Sequence, residues 1–201
     1  QQAPRWCCCW RVIAQPTTPC DRSIGTLKNA SASRCCGGVF VWVLSLGTSP
    51  SQFAPLLRGI DPVRIAQKLA FMKLAHYAFG EENRDNGTIV IVHGLFGQAR
   101  NWTAIARRLA EKYHVVTADL RNHGRSDWDA EMTYPAMAAD LAELIGEVSD
   151  KPVHLVGHSM GGKASMVLAL SADAGLVADL VVVDIAPVSY DHDYSGYISA
   201  M

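Results

Sequence analysis

The residues best suited to do chemistry lie in "VHLVGHSMGGKASM", residues 153–166, where Ser159 stands between Gly157 and Gly161. A serine in G-x-S-x-G forms a nucleophile elbow when the stretch passes from a strand directly into a helix. The turn is then sharp enough to hold the hydroxyl clear of its own backbone. Glycine on either side lets strand and helix approach without a side chain between them. Such a serine attacks an acyl carbon, and three partners must help it. A base takes its proton, a carboxylate orients the base, and N–H donors meet the oxygen that becomes negative. The plain alternative is a glycine-rich connection with no catalytic duty.

The donors can be assigned first. The amide of Met160 opens the helix after the serine, where the helix dipole favours negative charge. A second donor is expected from "HGLFG", residues 93–97, with the Leu95 amide ahead of Phe96.

These loops need elements to carry them. "TIVIV" (88–92) is rich in β-branched residues and ends at His93-Gly94, as a strand and turn would. Trp102, Ile105, Ala106, Leu109, Ala110 and Tyr113 follow at amphipathic-helix spacing. "VVTA" (115–118) predicts a second strand, ending at Asp119 and the turn "RNHGRS". Pro135 suits a first helical turn, after which Met137, Leu141, Leu144, Ile145 and Val148 share one face. "VHLVG" is the third strand, "MGGKASMVLALSA" the third helix and "LVVVD" (180–184) the fourth strand. Strand and helix alternating in this way predict an α/β domain, a mostly parallel sheet between two helical layers. Near-continuous apolar strands predict burial on both faces. Chemistry then collects at the strands' carboxyl ends, where "HGLFGQ", "DLRNHGRS", "GHSMGG" and "DIAPVSY" fall.

Composition sets bounds on partners. The chain has 201 residues, 49% hydrophobic and 18% charged, with a formal net charge of −1. That balance gives no reason to expect nucleic acid or a membrane surface as partner. The charge is unevenly spread: residues 1–71 hold eight Lys/Arg against two Asp/Glu, and residues 72–201 hold ten against seventeen. All six cysteines (Cys7, Cys8, Cys9, Cys20, Cys35, Cys36) fall in the first part, adjacent rather than at zinc-site spacing. "GGVFVWVLSLG" is too short to span a bilayer and too far along the chain for a signal core. Met72 is the first methionine. Residues 1–71 are therefore expected to be an extension of unknown status, disordered or non-native, preceding a domain over 72–201.

"VHGLFGQARNW", "DLRNHGRS", "MTYPAMAADL", "GHSMGGKASM" and "VVVDIAPVSY" together resemble the α/β-hydrolase superfamily, and within it the YbfF-type esterases. The resemblance runs from about Met72 to the end of the sequence. It implies the α/β-hydrolase fold, lacking here the last strands and cap. It also implies a cytoplasmic serine hydrolase of small carboxylic esters or thioesters, with no metal or organic cofactor and Ser159 as nucleophile. The acid of such esterases is expected in the "DIAP" motif, at Asp184; the alternative is a strand-end aspartate that binds loop backbone. Related chemistries on one triad, perhydrolase or carbon–carbon bond hydrolase, stay open, as does a non-catalytic hydrolase-fold binding protein.

The base is harder to place. His158 neighbours the serine and diverges from it, while His93 and His123 are expected to shape loops. His154 lies within a strand, and His76 and His114 are expected at the non-catalytic ends; His192 follows Asp184. The resemblance puts the catalytic histidine after the last strand of the sheet. The sequence is accordingly expected to be the N-terminal part of an esterase, weak or inactive, with "LVVVD" as a bare apolar edge. Lys163, after the elbow's glycines, is expected to be solvated or to cap.

Overall fold

The computed structural model describes residues 30–34, 40–45, 72–171 and 174–186. The six cysteines and His192 lie outside them. Seven strands form one sheet: β1 (Ala30–Arg34), β2 (Phe40–Ser45), β3 (His76–Phe79), β4 (Thr88–Val92), β5 (His114–Ala118), β6 (Val153–His158) and β7 (Val177–Val183). Their spatial order is β1-β2-β7-β6-β4-β5-β3. The four strands β7-β6-β4-β5 run parallel, and antiparallel strands flank them on both sides.

Three α-helices lie among the described residues: α1 (Thr103–Leu109), α2 (Tyr134–Val148) and α3 (Met160–Ala169). A 3-10 turn, Ala99–Trp102, leads into α1. Alternating side chains of the strands divide the core into two layers. Ile89, Ile91 and Val115 face α1 through Ala106, with Trp102, Ile105 and Leu109 packed around them. Val90, Val92, Val116, Leu155, Leu180 and Val182 face Met137, Leu141, Leu144 and Ile145 of α2 and Ala164, Val167 and Leu168 of α3. This is the three-layer arrangement expected from the strand–helix alternation. Helix α2 starts where the proline suggested: the Thr133 side chain accepts from the Ala136 amide, with Pro135 in the first turn.

Four features differ from the expectations. β4 and β5 are buried at every position, but β6 and β7 alternate, because α1 lies over β4 and β5. The short strand β3 was not expected; only four residues long, it pairs antiparallel with β5. Its direction puts His76 opposite Ala118, at the carboxyl end of the parallel strands rather than the opposite end. Lastly, β7 is not a bare edge. β2 pairs with it antiparallel from Val41↔Val183 to Ser45↔Asp179, and β1 adds to β2. "FVWVLS" is rich in β-branched and aromatic residues, a composition that suits a strand.

The connections define where a site must form. From β4 the chain passes through α1 to β5 on one side; from β6 it passes through α3 to β7 on the other. β4 and β6 are adjacent, so their loops leave in opposite directions and a crevice opens between them. The "HGLFG" loop and the "GHSMGG" turn face each other across it.

Candidate active site

Ser159 sits at the junction of β6 and α3 with φ 48 and ψ −115, a region that side chains other than glycine rarely enter. Holding it there costs on the order of 1–3 kcal/mol, which packing around the turn must offset. That packing is tight. A methyl on Gly157 would lie 2.6 Å from the Gly162 Cα, and one on Gly161 would collide with the carbonyl oxygen of His93. The serine is half-buried, and its hydroxyl makes no capping bond to the helix it precedes. Its own amide donates instead to the Val183 carbonyl at 2.9 Å.

The loop after β4 closes against the elbow. Gly94 is near enough that an added methyl would lie 3.0 Å from the Ser159 Cβ and 2.8 Å from the His158 Nδ1. Phe96, at φ 60, points its half-exposed ring outward and donates its amide to the His123 Nε2 at 3.3 Å. The Met160 amide lies in the first turn of α3, where helical N–H groups have no partner within the helix.

Asp119, at the end of β5, supports both loops. Its buried carboxylate accepts from the Ala99 amide at 2.6 Å and the Arg125 amide at 3.0 Å. Below it, Arg121 is 2% exposed and makes a two-point ion pair with the fully buried Asp140 at 2.6 and 2.7 Å. The guanidinium also donates to the Glu131 carbonyl, and Asp140 accepts from the Met72 amide. Hydrogen bonding to Asp140 raises the arginine pKa above its already high value. Neither Asp119 nor this ion pair was picked out as part of the site's support. The "DLRNHGRS" turn was their signal; Asp140 carried only a misleading one, an acid inside an apolar helix.

Asp184 follows β7, exposed and at φ 57. Its charge reaches His158, raising that imidazole's pKa against the larger lowering effect of burial. One non-glycine residue with positive φ thus follows each parallel strand: Phe96, Asn122, Ser159 and Asp184. Backbone strain is gathered at the rim where the chemistry was expected.

Among the described residues no histidine is hydrogen-bonded to Ser159. His93 and His123 bind loop backbone, and His154 pairs with Asp179 at 2.8 Å. His114 meets Thr88, and His76 meets the Leu74 carbonyl. The His158 ring is tilted toward Trp102, with centroids 6.1 Å apart. The Lys163 ammonium lies 5.9 Å from the centre of the Tyr134 ring. Among the described residues, no group of three or more His, Cys, Asp or Glu could hold a metal, and no helix is long and apolar enough to cross a membrane.

A parallel sheet between helical layers, with a strained serine at a strand-to-helix turn, defines an α/β-hydrolase. The family model for the alpha/beta hydrolase fold matches residues 87–196, more than half of the sequence, and the chain belongs to that family. Among curated proteins it is similar to Esterase YbfF of Escherichia coli, at 45% identity over 121 residues, 59% of this chain and 47% of that one. It is also similar to the sn-1-specific diacylglycerol lipase ABHD11 of Danio rerio, at 43% over 121 residues, 58% of this chain and 38% of that one. A solved structure titled "Marine microorganism esterase" superposes with a TM-score of 0.57 at 37% identity, covering 64% of this chain and 48% of that one. The chain spans about half the length, or less, of these curated relatives.

Proposed function

We propose that the chain carries the nucleophile half of a carboxylic-ester or thioester hydrolase that works through an acyl-enzyme on Ser159. The observation that carries this reading is the strained, half-exposed serine at the mouth of the β4–β6 crevice, with Gly94 packed against its Cβ. The similarity to proteins named as esterases and a lipase supports it.

In the proposed reaction the Ser159 oxygen attacks the acyl carbon and its proton passes to a base. Negative charge on the former carbonyl oxygen is met by the Met160 and Leu95 amides. Of the two loop amides, Leu95 fits better, because the Phe96 amide is engaged by His123. Loss of one such donor typically costs roughly 3–4 kcal/mol of transition-state stabilisation. Collapse of the tetrahedral species expels the alcohol or thiol, and water then releases the acid. Asp184 is the acid that would orient the base. No described histidine is hydrogen-bonded to Ser159, so none of them is assigned as the base in this reading. Phe96, on the loop that packs against the elbow, exposes an apolar ring suited to an acyl chain.

Acylation by an activated ester such as p-nitrophenyl acetate tests the reading. An acetyl group should appear on Ser159 by mass spectrometry and be absent from Ser159→Ala. Acetylation confined to lysines would contradict it.

A further inference from the structure

The loops after β4 and β5 exchange imidazoles. His93, from the β4 end, accepts the Leu120 amide of the β5 loop on Nε2 at 3.0 Å. His123, from the β5 end, accepts the Phe96 amide of the β4 loop on Nε2 at 3.3 Å. Each ring also meets a carbonyl of its own loop through Nδ1, His93 at Gly94 (2.7 Å) and His123 at Arg121 (2.8 Å). The ring centroids are 5.0 Å apart.

The donors fix the tautomers. A backbone N–H can only donate, so each Nε2 must be a bare acceptor; a carbonyl can only accept, so each Nδ1 must carry the proton. A neutral imidazole has one of each. Both rings therefore have all their hydrogen-bonding capacity used between two loops, and neither has a nitrogen left for a substrate.

We infer that His93 and His123 form a reciprocal imidazole clamp, both as Nδ1–H tautomers, that positions the oxyanion loop. His93 holds the root of that loop, at Gly94, to the β5 turn. His123 holds its tip and turns the Phe96 peptide away from Ser159, which leaves Leu95 and Met160 as the donor pair. Both histidines are positioning residues. The catalytic consequence rests on the ester-hydrolase reading above; the clamp does not.

The test uses the full chain labelled with nitrogen-15. At neutral pH, long-range nitrogen–proton spectra should show a pyrrole-type Nδ1 and a pyridine-type Nε2 for both His93 and His123. A protonated Nε2 on either ring overturns the clamp. The Phe96 amide should exchange with solvent about tenfold faster in His123→Ala, the loss expected for one hydrogen bond. His123→Gln, whose side-chain carbonyl reaches the Nε2 position, should restore protection. Equal exchange in all three proteins also overturns the clamp. Phosphonylation of Ser159 by a fluorophosphonate reads the consequence: about tenfold slower in His123→Ala and recovered in His123→Gln. An unchanged rate removes the positioning role. If the parent chain takes no label, it is the ester-hydrolase reading that fails, and the clamp is decided by the tautomers and the Phe96 exchange.

Discussion

The amide of Ser159 donates to the carbonyl of Val183 at 2.9 Å, which ties the candidate nucleophile to the strand that ends one residue before the candidate acid. β6 and β7 pair parallel up to His158↔Val183, so this bond continues their ladder into the elbow itself. The serine's unusual backbone is thus held from both sides, by β7 through its amide and by the β4 loop through Gly94.

Gly161 tests that packing. The methyl of Gly161→Ala would strike the His93 carbonyl, a backbone atom that cannot swing away. The helix must shift off the β4 loop, at a cost of about 1–3 kcal/mol. Thermal unfolding of the variant should show a lower Tm, with Ser159 acylated more slowly. An unchanged Tm would mean that the elbow is looser than described.

Arg121 and Asp140 test the support beneath. Removing one partner leaves a buried charge unpaired, so Asp140→Leu alone should destabilise by about 3–5 kcal/mol. Arg121→Met with Asp140→Leu should cost much less than the two single changes summed, since no orphan charge remains. Urea denaturation of the four proteins measures this. Additive losses would show that the two side chains do not act as a pair. The exposed Lys73–Glu147 pair is a contrast, where a change should cost under about 1 kcal/mol.

Three histidines set the pH dependence. Burial is the largest cause lowering the pKa of His93, His114 and His158 below the ordinary 6.5. The unfolded chain then binds more protons than the folded one between the folded and unfolded values, so stability falls as pH falls through that interval. Their contribution is complete above about pH 6.5 and is lost progressively below it. Urea midpoints should drop from about pH 7 to pH 5, ahead of the carboxylate range. His114→Gln should flatten that slope, whatever it does to stability at neutral pH. A midpoint constant down to pH 5 would contradict the burial of these rings.

Long periodic segments were legible in the sequence. Met137, Leu141, Leu144, Ile145 and Val148 all face the core from α2, and the strands β4 to β7 fall where β-branched runs placed them. The elbow was legible too, since a glycine-flanked serine between strand and helix has few physical uses. What escaped the reading depends on contacts between distant segments. β3 has only four residues, and β2 is recognisable as part of the sheet only through its pairing with the distant β7. Asp140 carries no periodic signal, because its partner, Arg121, is 19 residues away. The exchange between His93 and His123 depends on two loops meeting, which spacing alone does not announce.

The most direct test of the central claim is exposure of the folded chain to a fluorophosphonate, followed by peptide mapping. One phosphonyl adduct is expected, on Ser159, absent from Ser159→Ala and from denatured protein. A folded chain that takes no adduct at Ser159, or that is labelled equally after denaturation, would contradict it.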